Sequence, residues 1–182
     1  KKITVNFPGL FFVKDEVRNI KLKTIKKTIQ DGHYMEAFNK LSDLSKPEHD
    51  FTLQSKYALL FESIPPEALK LTKLRLAILA SSTVDHFIKV LKFWLAKKGF
   101  SAHIFSSQFN TIDQTILDQK SSRYDFEPEF VWIFNHQRDI KLSVPLGANL
   151  TECDTATNEA VKKLSRLWNM LHKKLSCQIL QN

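Results

Sequence analysis

The sequence predicts an α/β domain, a parallel sheet with helices on its faces, led in by a helical extension. Three observations predict it. Short, nearly continuous apolar runs, LRLAIL from Leu74 to Leu79 and PEFVWIF from Pro128 to Phe134, have the pattern of strands buried on both faces. Stretches with apolar residues three and four apart alternate with such runs, and the order strand, helix, strand, helix, strand implies right-handed crossovers and parallel pairing. Ahead of Pro65-Pro66 only helical periodicity occurs, which sets a boundary near residue 70: an arm and helical extension over 1–70 and an α/β domain over 71–182.

Residues 1–13 read as an apolar arm containing Pro8-Gly9. Val17, Ile20, Ile25 and Ile29 mark a first helix that ends near Asp31-Gly32. Tyr34, Ala37, Phe38, Leu41 and Leu44 mark a second, stopped by Pro47, and Leu53 to Phe61 a third. The phrase GHYMEAFNKL resembles one unit of a tetratricopeptide array, but no second copy follows, so a helical cap or linker is the expectation.

In the α/β part, the strand from Leu74 to Leu79 ends at Ala80-Ser81-Ser82-Thr83. Val84, Phe87, Ile88, Leu91, Trp94 and Leu95 form an apolar helical stripe with lysines mostly opposite, closed by Gly99. Ala102 to Phe105 makes the next strand, Ile112 to Leu117 a short helix, and Pro128 to Phe134 the third strand. Val161, Leu164, Leu167, Trp168, Leu171 and Leu175 define a long helix beginning near an Asp154-Thr155 cap, and Cys177 to Leu180 a fourth strand. This succession is flavodoxin-like, and a chain that stops as a core strand finishes is expected to be part of a longer one. Trp94, Trp132, Phe134 and Trp168 are expected in the core rather than on a binding platform.

At 182 residues the chain can bury a core without metal or disulfide staples, and 43% hydrophobic with 25% charged residues is an ordinary globular composition. No apolar run approaches the roughly 18 residues that span a bilayer, and the opening segment is too short for a signal peptide. A cytoplasmic location without a membrane partner is expected. Cys153, in a loop-like stretch, and Cys177 lack ligand spacing and read as free thiols. The formal charge of +8 is spread evenly: residues 1–70 carry twelve Lys/Arg against nine Asp/Glu, and residues 71–182 fifteen against ten. Pairs such as Lys97-Lys98 and Lys162-Lys163 sit in helical stretches as solvated faces, so nucleic acid is not the expected partner.

Ligands of open parallel sheets bind beyond the carboxyl ends of the strands, where helix N-termini also present free amides. The candidates are therefore Ser81, Ser82 and Thr83, then Ser106, Ser107 and Gln108, then Asn135 to Asp139, then Gln181 and Asn182. Arg138 is the natural fork for a carboxylate or phosphate, with a bridge to Asp139 or Asp85 as the alternative.

The stretch LAILASSTVDHFIKVLKFWLAKKGF, the later ILDQKSSRYDFEPEFVWIF and the closing Arg138-Asp139 resemble the N-terminal domain of FkbH-like proteins. The resemblance covers about residues 74–182. In that family the domain precedes a phosphatase domain of the haloacid-dehalogenase (HAD) superfamily, subfamily IIIC, and is itself similar to SGNH (GDSL-type) hydrolases. Carried over by position, Ala80-Ser81-Ser82-Thr83 stands where G-D-S-L follows the first strand, so Ser82 takes the nucleophile position and Ser81 replaces the aspartate. His136-Gln137-Arg138-Asp139 stands where G-x-N-D follows the third strand, with Arg138 in place of the oxyanion-binding asparagine. The D-x-x-H that supplies the rest of an SGNH triad occurs nowhere in the chain. His136, in the strand-three loop, is the candidate base, ahead of His86 on the helix. Helix capping by Ser82 or Thr83 is the alternative without chemistry.

The resemblance implies an SGNH-like accessory domain of a biosynthetic protein, of the polyketide kind, that positions a substrate or acyl carrier protein for a downstream HAD-type phosphatase and glyceryl-transfer domain. It implies Mg²⁺ in that second domain and no cofactor in these residues, where the D-x-D-x-T/V motif is absent. Ser81, Thr83, Ser107, Asn135, Arg138 and Asn182 are then the substrate-binding candidates. Two other functions are open: a serine acyl-hydrolase or acyltransferase with Ser82 as nucleophile and His136 as base, and a non-catalytic interaction module using the N-terminal helices as its docking surface.

Overall fold

The computed structural model of the chain describes residues 8–117, 125–136, 139, 140, 142 and 144–182. Its contacts divide it into two compact units, Lys1–Thr72 with Lys89–Gly99, and Lys73–Ile88 with Phe100–Asn182.

The first unit is helical. Helix α1 spans Pro8–Gln30, α2 Tyr34–Leu44 and α3 Phe51–Glu62. The arm expected over residues 1–13 is therefore helical from Pro8 onward, because a proline in the first turn lacks only an N–H that would be unpaired there anyway. Gly32 takes a φ of +80° at the α1–α2 turn, a left-handed geometry that costs a glycine nothing. Asp50 caps α3 by accepting from the Leu53 amide at 2.9 Å. Phe38, Leu41, Tyr57 and Ala58 form the core together with Val90, Phe93 and Ala96 from the second half of helix α4, Asp85–Lys97.

Polar groups within that core are tied to distant backbone. The Lys97 ammonium donates to the Ser42 and Ser45 carbonyls at 2.8 and 3.1 Å and to the Ser45 hydroxyl at 2.7 Å. It lies 4.2 Å from the centre of the Trp94 ring, a cation–π contact. Burial pulls its pKa below the usual lysine value. The buried Gln54 amide donates to the Lys46 carbonyl and accepts from the Trp94 indole N–H.

The second unit is the α/β domain. Strands β1 (Thr72–Ala80), β2 (Phe100–Ser106), β3 (Phe130–Phe134) and β4 (Gln178–Gln181) form one sheet in the order β2-β1-β3-β4. The β1–β3 and β3–β4 pairs are parallel, with Ala80 opposite Phe134 and Ile133 opposite Gln181. This is the flavodoxin-like arrangement the alternating pattern predicts. On one face Ala77, Leu79, Val131 and Ile133 pack against Ile112 and Ile116 of helix α5 (Ile112–Leu117) and Leu167 and Leu171 of helix α6 (Leu150–Lys174). Trp132 and Phe134 point to the other face, where Phe87 meets Trp132 edge-on at 5.7 Å and stacks on Phe134 at 5.6 Å.

Helix α6 begins four residues before the expected Asp154-Thr155 cap. Asn149 accepts from the Glu152 amide while the Glu152 carboxylate accepts from the Asn149 amide, a reciprocal capping box that satisfies two end donors at once. Asp154 and Thr155 are consequently inside the helix, as is Cys153, which is helical rather than in a loop; neither Cys153 nor the buried Cys177 is in a disulfide. Among the described residues no helix is long and apolar enough to cross a membrane.

Candidate functional site

The strand order places the switch point between β1 and β3. The connection from β1 leads to β2 on one side, while the connection from β3 leads to β4 on the other, so the loops part at the carboxyl ends of these two central strands. A cleft of about 560 Å³ opens there, lined by Ser81, Asn135 and Asp139 from the strand ends and by Asp113, Lys163 and Leu167 from α5 and α6, among others.

Ser81 continues β1 by one position, its amide donating to the Phe134 carbonyl at 3.3 Å. Its hydroxyl accepts from the His136 amide at 3.3 Å, on the side of the Asp139 carboxylate. The His136 amide also donates to Asp139 Oδ2 at 2.6 Å, and the Asp139 amide returns a bond to the His136 carbonyl at 2.8 Å. The Ser81 hydroxyl and then the His136 amide hold the Asp139 carboxyl below its usual pKa. The pair offers a hydroxyl and a carboxylate oxygen side by side at the end of β1.

Asn135 is anchored from the neighbouring strand. The Asn182 side chain accepts from the Asn135 amide at 3.2 Å and donates to its carbonyl at 2.9 Å, so a carboxamide replaces a strand residue where the β3–β4 ladder runs out. The Asn135 side-chain oxygen is buried and, among the described residues, has no hydrogen-bond partner. Ser107 is engaged with β1: its hydroxyl accepts from the Ala80 amide at 3.3 Å and its amide donates to the Ile78 carbonyl at 3.0 Å.

Ser82 and Thr83 are exposed, neither lines the cleft, and among the described residues neither side chain makes a hydrogen bond. The first backbone bond of α4 runs from the Ile88 amide to the Val84 carbonyl, which puts Val84 rather than Ser82 or Thr83 at the capping position. His136 is exposed, with its backbone in the loop just described. Arg138 lies outside the described residues.

Lys163 and Asp113 are site residues that sequence reasoning passed over. They pair at 3.0 Å across the α5 and α6 walls of the cleft, with side chains 62% and 48% exposed. Lys163 reads as one of a solvated Lys-Lys pair, yet the buried Leu167 lies one turn on, and that spacing puts Lys163 at the inward edge of α6. Among the described residues no group of three or more His, Cys, Asp or Glu is placed to hold a metal ion. What the arrangement offers is a polar cleft with hydroxyl, carboxamide and carboxylate groups at the strand ends and an ammonium from the middle of α6, suited to holding a small polar group.

A flavodoxin-like α/β domain with a polar cleft at its topological switch point is the class these features define. The chain belongs to the family described as FkbH, N-terminal domain, which matches residues 75–182, from within β1 to the end of β4. In fold it is similar to the crystal structure of the N-terminal part of a Bacteroides fragilis protein containing a phosphatase domain complexed with Mg. That similarity has a TM-score of 0.55 at 16% identity over 73% of this chain and 32% of that one. The chain thus spans about a third of the length of that structure. No curated protein matches it.

Proposed function

We propose that this chain is the SGNH-like accessory domain of an FkbH-like biosynthetic protein, positioning a substrate or acyl carrier protein for a downstream HAD-type phosphatase and glyceryl-transfer domain. The observation that carries the reading is the cleft at the switch point of a domain of this family, where Ser81, Asn135 and Asp139 are fixed by neighbouring strands. The fold similarity to a structure that contains a phosphatase domain with Mg supports the pairing with such a neighbour, in which the Mg²⁺ would reside. In this reading Asn135 and Lys163 meet the group presented at the cleft, Asp139 and Ser81 keep the β3 loop in register, and Asn182 holds Asn135. The chemical step belongs to the downstream domain, because Ser81 faces a carboxylate of lowered proton affinity and Ser82 stands outside the cleft.

The test is transfer to a carrier protein by the full-length parent, followed by intact mass, with Asn135→Ala and Lys163→Ala alongside. Transfer falling by about tenfold or more, with hydrolysis of a small phosphomonoester by the other domain unchanged, is the expected result. Unaltered transfer in both variants overturns the positioning role. A fluorophosphonate adduct that disappears in Ser82→Ala would instead establish a nucleophilic serine and the acyl-hydrolase or acyltransferase function.

A further inference from the structure

The helical unit carries a second concavity, independent of the sheet-end cleft. Between the middle of α1 and the carboxyl end of α2 lies a groove of about 780 Å³. Val17 and Ile20 line it and are 47% and 63% exposed, although the next turns of the same helix bury Ile25 and Ile29 in the core. Ile20 lies about 140° round the helix from Ile25, so Val17 and Ile20 form a separate apolar pair on a side of α1 that the core does not take up. Arg18, Lys21 and Lys46 stand beside this strip with Asp43 as the lining carboxylate. Lys40, also on the rim, is taken up by Glu36 at 2.6 Å, whereas among the described residues neither Lys21 nor Lys46 has a partner for its ammonium.

We infer that this groove docks an acidic amphipathic helix of a protein partner. The exposed Val17–Ile20 pair, one turn apart, takes the apolar face of another helix, and the Lys21 and Lys46 ammoniums beside it match carboxylates on that helix's shoulders. The shape and lining argue against the other anionic partners. A lipid surface is met by a convex amphipathic face rather than a recess between two helices, and a nucleic acid backbone calls for cations along a track without an exposed Val and Ile at its centre.

The experiment is fluorescence anisotropy on the full chain with a fluorescein-labelled peptide of about five helical turns, leucines three and four apart and glutamates elsewhere. The controls are a scrambled peptide of the same composition, a DNA duplex, and vesicles containing phosphatidylserine. The amphipathic peptide is expected to bind about tenfold or more tightly than its scramble, with affinity falling as salt rises. A Lys21→Glu/Lys46→Glu double variant and an Ile20→Asp variant should each weaken it by about tenfold with an unchanged circular dichroism spectrum. Asn135→Ala should leave it unaltered, which separates this site from the sheet-end cleft. Equal binding of the scramble, indifference to the charge reversals, or tighter binding of the duplex or the vesicles overturns the inference.

Discussion

The two units use the same kinds of polar side chain to opposite ends. In the helical unit, Lys97, Gln54 and Trp94 reach across 40 or more residues of sequence to satisfy one another and the end of α2, leaving little capacity for anything else. At the sheet ends of the α/β unit, Ser81, His136, Asp139 and Asn182 satisfy the loops among themselves, yet around an open cleft that keeps Lys163 and Asp113 exposed. Polar residues enclosed by packed helices become part of the framework, whereas those lifted on strand ends where crossovers diverge remain available to a ligand. Burial and topology, not residue type, separate structure from site.

That contrast can be broken at several points. The largest effect is expected from Phe93→Ala in the helical core and Leu171→Ala in the α/β core, both fully buried, at about 3–5 and 2–5 kcal/mol respectively. Urea unfolding followed by fluorescence and circular dichroism reads both; two transitions, each moved by one variant alone, would mean that the units unfold separately, and a single shared shift that they do not. Lys97→Met should cost about 1–3 kcal/mol, since it leaves the Ser42 and Ser45 carbonyls without their donor. A neutral result by the same urea measurement would place those carbonyls in water. Asn149→Ala should cost about 1 kcal/mol through loss of the α6 capping box, visible as a lowered thermal midpoint.

The pH response sharpens the same comparison. His49 Nδ1 accepts from the Lys46 amide and meets the Tyr57 hydroxyl, and burial, then the nearby Arg18 charge, hold its pKa below 6.5. Because the unfolded chain binds the proton more readily, this contribution is complete above pH 6.5 and is lost as pH falls toward the folded value. Asp139 obeys the same sign in a lower window, below the ordinary carboxylate value of 3.8. The helical unit should therefore loosen first on acidification. Two-dimensional NMR across a pH series checks the order, and His49→Phe should abolish the earlier step.

Much of the α/β fold is legible because buried parallel strands are nearly continuous apolar runs and their helices end at Gly99 or follow a sharp change of period. The α5 limits, Ile112 and Leu117, are those the pattern indicates, and α2 runs from Tyr34 to Leu44 as its stripe requires. The start of α6 was less visible, since Asp154-Thr155 lies nearer the apolar stripe than Asn149 and Glu152, whose three-residue spacing is the decisive signal. Within the cleft, topology alone locates Ser81, Asn135 and Asp139. The partners Asp113 and Lys163 come from different helices, and no spacing within either one reveals the other.

One consequence follows from the first unit's being interrupted in sequence. Its core is completed by Val90, Phe93 and Ala96, and the last carbonyls of α2 by Lys97, all made after the strand β1 has been synthesised. A growing chain that has just emerged as far as residue 72 thus holds three helices with an aromatic face still waiting for its closing ring. The helical extension can close only when translation has passed the first strand–helix segment of the sheet, yet its sequence is complete before β2, β3 and β4 are made.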